Sequence, residues 1–132
     1  MKIHHIGYLV EDINTATEEF QELGYTLKNQ VIYDNTRKIY ISFLTNNNYL
    51  IEFIQPTEES PGLSKMLKKN GSMPYHICYE TDNLENSIQS LQKKGYFLIQ
   101  PCAIAPALNN KKVAFLMNTS VGIIELVEIG KE

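Results

Sequence analysis

The chain is written twice. The segment HIGYLVEDINTATEEFQELGYTL, from His5, aligns without a gap on HICYETDNLENSIQSLQKKGYFL, from His76, at an offset of 71 residues. His, Ile and Tyr coincide at the start, then Gln, and finally Gly-Tyr-x-Leu. Ile13 and Phe20 face Leu84 and Leu91, and Glu11 faces Asp82. The match resumes with a slight shift, YISFL on VAFLM and YLIEFI on GIIELVE, so that Glu52 meets Glu125. A repeat of this kind marks one supersecondary unit used twice, and it restricts the fold to two similar halves.

Each half reads alike. An apolar strand (3–10, then 75–81) leads into a helix capped by Asp12 or Asn83. The apolar stripe is Ile13, Ala16, Phe20 and Leu23 in one helix, and Leu84, Ser87, Ile88 and Leu91 in the other. Gly24 and Gly95 stop them. Three strands follow each helix, at about 26–32, 38–45 and 49–55, then 97–103, 112–117 and 122–128, with TNNNY and MNTSVG as hairpin connections. Between the halves SPGLSKMLKKNG predicts a short helix over about 60–70, with Ser60 as cap and Gly71 as stop. The expected fold is α+β, one domain over 1–132 made of two tandem βαβββ modules at about 1–56 and 74–130.

A chain of 132 residues buries a sizeable core. Its net charge of −3 argues against nucleic acid or an anionic membrane as partner. No apolar run approaches the ~18 residues of a bilayer span, no signal-peptide pattern opens the sequence, and two cysteines make no disulfide framework. The cytoplasm is the expected compartment.

The repeat also sorts the candidate chemistry. Adjacent residues on a strand face opposite ways, so His4 and His5 do not share one role. His5 recurs as His76, whereas His4 aligns with Tyr75. For either histidine alone, a hydrogen-bonded core position is the plain explanation. Glu52 and Glu125 shift the weight, because each lies inside an apolar strand, LIEFI or IIELV, where a lone carboxylate pays for lost solvation. A divalent metal serves two carboxylates and two imidazoles at once, and the alternative for the four is an ion-pair network. Cys78 shares the face of His76 and reads as a pocket wall; Glu11, Glu18, Glu19 and Glu22 read as a solvated helix face.

HIGYLVEDI, LIEFIQP, SPGLSKMLKKNGSMPYHICYE and KKVAFL with GIIELVE resemble, over nearly the whole chain, the vicinal-oxygen-chelate superfamily, which includes glyoxalase and bleomycin-resistance proteins and dioxygenases. The nearest likeness is to its branch of glyoxalase I-like proteins and methylmalonyl-CoA epimerases. The resemblance implies a cupped mixed sheet around one divalent ion (Ni, Co, Zn or Mn) held by His5, Glu52, His76 and Glu125. It also implies proton abstraction next to a carbonyl, with Glu125 as first candidate base and Glu52 as second, and a homodimer. Epimerases usually carry a second His where Tyr75 stands, a Gly-rich turn where PALNN stands, an HPK-like turn where MNTS stands, and an extra carboxylate near Ile41. On those departures the expectation is a lactoylglutathione lyase-type isomerisation of a hemithioacetal, with an acyl-CoA epimerase or a metal-free binding protein as alternatives. Arg37, Lys38, Lys111 and Lys112 are the candidate cations for a thiol co-substrate such as glutathione, or for CoA phosphates, although exposed strand-end charge explains them too.

Overall fold

A computed structural model describes residues 1–130. The order is β1 (Ile3–Leu9), α1 (Ile13–Glu22), β2 (Thr26–Leu27), β3 (Ile32–Asp34), β4 (Ile39–Asn46), β5 (Tyr49–Pro56), α2 (Pro61–Asn70) and β6 (Met73–Thr81). It continues with α3 (Leu84–Lys93), β7 (Phe97–Ala105), a 3-10 turn (Pro106–Leu108), β8 (Lys111–Asn118) and β9 (Gly122–Glu128). Nine strands in mixed parallel and antiparallel pairing, with three α-helices, make the described residues a mixed α+β fold. They form two compact units, His5–Tyr75 and Met1–His4 with the residues from His76 onward.

The first unit pairs β1 with β5 in parallel, Gly7 opposite Glu52, and β5 with β4 antiparallel, Glu52 opposite Phe43. The second repeats this: β6 runs parallel to β9 with Cys78 opposite Glu125, and β9 antiparallel to β8 with Glu125 opposite Phe115. The hairpins account for one residue of drift between the halves. Asn46 and Tyr49 enclose two loop residues, whereas Asn118 and Gly122 enclose three. Gly122 sits at φ 84°, where a side chain is strained.

Both helix starts follow from their caps. The Asp12 carboxylate accepts from the Thr15 N–H at 2.9 Å and the Thr15 hydroxyl at 2.7 Å, and these bonds hold its carboxyl below the usual aspartate range. Asn83 accepts from the Asn86 N–H at 3.0 Å. The first helical N–H of each helix is tied to the unit's last strand at equivalent places: Ile13 N–H donates to Gln55 Oε1 and Leu84 N–H to Glu128 Oε2, both at 2.9 Å.

Three expectations need correction. Leu23 does not join the apolar stripe: it is the C-cap of α1 and 69% exposed, and Tyr25 packs against Phe20 instead. Ser60 starts α2 without a side-chain capping bond, its hydroxyl donating to the Arg37 carbonyl at 2.8 Å. The strand expected at 26–32 is two short ones. Lys28 N–H donates to the Phe43 carbonyl, but the Phe43 N–H donates to the Asn29 side chain at 2.8 Å, so a side chain replaces a ladder carbonyl. The second unit breaks its register near the same place, between Leu98, Gln100 and Ala103 on β7, where Pro101 has no N–H to give.

The helix-facing cores superpose through the repeat. Val10, Ile13, Leu44, Ile51 and Phe53 form one, and Leu84, Ala114, Leu116, Ile124 and Leu126 the other. Ser42 stands where the second half has Ala114, and among the described residues its buried hydroxyl has no hydrogen-bond partner. An unmet buried hydroxyl costs about 1–3 kcal/mol. Ser42→Ala is therefore expected to stabilise by about 1 kcal/mol, seen as a higher urea midpoint with unchanged slope. A lower midpoint would mean that the hydroxyl is satisfied.

Candidate metal centre

Strand alternation sets His5 apart from His4. His5 is 1% exposed on the face of β1 that also presents Gly7 and Leu9, while His4 is half-buried on the other face. Gly7 lies opposite Glu52, so His5 stands one row before the carboxylate. His76 stands likewise one row before Cys78, which lies opposite Glu125. Glu52 is 5% and Glu125 1% exposed.

Within each unit the structure brings the expected pair together. Nε2 of His5 lies 3.3 Å from Oε1 of Glu52, and Nε2 of His76 lies 3.1 Å from Oε1 of Glu125. Each imidazole meets a phenylalanine edge-on: His5 and Phe43 at 5.6 Å and 81°, His76 and Phe115 at 5.3 Å and 86°. Neither ring is among the residues singled out from the sequence. Each faces its unit's glutamate across the hairpin and fixes the plane of the histidine. The repeat held the signal, since Phe43 and Phe115 fall between the aligned histidines and the aligned glutamates.

The donor chemistry of each pair suits a divalent ion. Two ligand atoms each about 2.1 Å from one ion, at tetrahedral or octahedral angles, lie about 3.0–3.4 Å apart. Both observed separations fall in that window. One imidazole and one carboxylate per unit supply nitrogen and oxygen, a set for borderline to hard metals. Cys78 is fully buried, with its Sγ 4.0 Å from the Tyr79 carbonyl.

The four basic candidates separate. Arg37 Nε donates to Asp34 Oδ2 at 2.9 Å, and its side chain is 13% exposed against 0% for Asp34. Lys38 donates to Asn35 at 3.0 Å and lies 3.7 Å from the exposed Glu59. Lys111 shares the strand face of Val113 and Phe115. Lys112 turns to the helix side, in a cleft with Glu85, Cys102 and Glu128. Alternation along β8 thus denies the two lysines a common role.

The mouse mitochondrial methylmalonyl-CoA epimerase is 23% identical over 95 residues, 70% of this chain, and the chain spans about half (53%) of that relative's length. A hypothetical protein from Bacillus halodurans has a TM-score of 0.86 at 25% identity, over 99% of this chain and 96% of its own. The methylmalonyl-CoA epimerase of Mycobacterium tuberculosis has a TM-score of 0.83 at 23% identity, over 98% and 89% of the two chains. No helix among the described residues is long and apolar enough to cross a membrane. Residues 4–115 match one family model, and the chain belongs to the Glyoxalase/Bleomycin resistance protein/Dioxygenase superfamily.

Proposed function

We propose that the chain is an acyl-CoA epimerase of the methylmalonyl-CoA type, with His5, Glu52, His76 and Glu125 together holding one divalent ion through one ligand atom each. The observation that carries this reading is the duplicated, buried His–Glu pair, in a chain whose curated relatives and many structural neighbours bear the name of that enzyme. The expected glyoxalase I-like activity yields to its alternative: similarity over the chain outweighs the local departures at Tyr75, PALNN, MNTS and Ile41.

The chemistry fits a duplicated chain. The α-carbon of a methylmalonyl thioester carries one acidic proton, and inversion needs that proton removed from one face and supplied to the other. A planar enolate intervenes, so a proton carrier is needed on each face. Two carboxylates at equivalent positions provide two carriers, Glu125 as the first and Glu52 as the second. When bound, a divalent ion supplies positive charge for the substrate oxygen that becomes negative. His5 and His76 would each supply one nitrogen ligand beside their unit's carboxylate, and Phe43 and Phe115 pack edge-on against the imidazoles.

The test incubates the metal-loaded protein with one epimer of methylmalonyl-CoA in D2O and follows the C2 proton by NMR. The expected result is solvent deuterium at C2 together with the opposite epimer. Thioester formation from methylglyoxal and glutathione, without exchange in the acyl-CoA, would return the reading to glyoxalase I.

A further inference from the structure

Asp34 is fully buried on β3, and none of the chemistry above uses it. Its register partner is Ile39, which lies opposite Pro56 on β5. Ile39, Ile41 and Phe43 alternate onto the strand face of Glu52, so Asp34 stands on that face as well. Two rows separate it from the Phe43–Glu52 row, about 13 Å at the usual strand rise.

A small scaffold is built around this carboxylate. Asp34 Oδ1 accepts from the N–H groups of Thr36 and Arg37, both at 3.0 Å, and Oδ2 from Arg37 Nε at 2.9 Å. From the other side the Ser60 hydroxyl donates to the Arg37 carbonyl at 2.8 Å, and the Thr57 hydroxyl to the Lys38 carbonyl at 2.6 Å. A neutral Asn closes a turn of this kind equally well. What the ionised side chain adds is a charge-assisted bond that orients a guanidinium. Burying a carboxylate is costly, and the return is an arginine held in one place.

We propose that Arg37, positioned by Asp34, receives an anionic group of the acyl-CoA substrate, its free carboxylate or a CoA phosphate; this rests on the epimerase reading. A guanidinium presents five N–H donors in a rigid fork, and the fork geometry matches both anions. The other candidate cations lack this construction: Lys38 pairs with the exposed Glu59, Lys112 lines the helix-side cleft, and no ion pair joins Lys111 to a buried carboxylate among the described residues.

The test is calorimetric binding of three ligands to Co2+-loaded wild type, Arg37→Ala and Asp34→Asn, each first shown to be folded by circular dichroism. The ligands are methylmalonyl-CoA, methylmalonyl-pantetheine and propionyl-pantetheine. Arg37→Ala is expected to weaken methylmalonyl-CoA binding about 10–100-fold, and Asp34→Asn to weaken the same ligand by a smaller factor. A loss confined to the CoA form assigns the phosphate; a loss shared by methylmalonyl-pantetheine but absent from propionyl-pantetheine assigns the carboxylate. If Arg37→Ala binds all three ligands as the wild type does, the inference falls alone. If the wild type binds none of them, the inference and the epimerase reading fall together.

Discussion

Replacing Glu125 by glutamine is expected to slow α-proton exchange by about 10²–10⁴-fold in the methylmalonyl-CoA epimer whose proton it takes, the usual contribution of a positioned acid–base group. Glutamine keeps the size of the side chain and an oxygen facing His76 Nε2, so the packing around this 1% exposed position survives. What disappears is the ability to carry a proton. The variant also separates base from ligand. Glu125→Gln and Glu52→Gln should each abolish inversion, and each should retain exchange only with the epimer whose α-proton faces the remaining carboxylate. The preferred epimers should be opposite. Metal content, measured by mass spectrometry on the same samples, should stay near one ion per chain at high metal concentration. A Glu125→Gln protein with full metal and wild-type exchange would remove Glu125 from the chemistry.

Much of this was legible because the chain repeats itself. His76 singled out His5 from its neighbour His4, and the paired glutamates in apolar strands identified the carboxylates; both pairs meet at 3.1–3.3 Å within their units. Gly24 and Gly95 stop their helices at φ near +98°, where glycine is the residue without strain. The features that escaped depend on bonds that no short window contains. Asn29 splits a strand by bonding Phe43, fourteen residues away in sequence. Ser60 looks like a cap by its neighbours, yet its hydroxyl goes to residue 37. Arg37 was legible as a cation, but the buried Asp34 that orients it falls between the strands expected at 26–32 and 38–45. Lys111 and Lys112 could have been parted by alternation alone, had the strand expected at 112–117 been begun one residue earlier.

The largest expected stability effect lies on the opposite face of the strand that carries Glu52. Phe53 is fully buried, meets Phe20 edge-on at 4.8 Å and 90°, and lies 6.2 Å from the ring of Tyr8. Phe53→Ala removes the ring from a core that also contains Val10, Ile13, Leu44 and Ile51, at an expected cost of about 3–5 kcal/mol. Against a total of about 5–15 kcal/mol for such a domain, the melting temperature should fall by roughly 10–20 °C. The second half supplies the control. Leu126 occupies the equivalent place, in a cluster where Leu91 replaces Phe20. Phe53→Leu alone should leave unfilled volume beside Phe20, and Phe20→Leu with Phe53→Leu should cost less than the sum of the two single changes, because the residues are in contact. Strict additivity would mean that the halves tolerate exchange of their core side chains one at a time. A Phe53→Ala melting point within about 3 °C of wild type would contradict the packing itself. Because Glu52 and Phe53 are successive residues on opposite faces of β5, exchange rates measured below the variant's melting point report whether the helix-side core also aims the carboxylate.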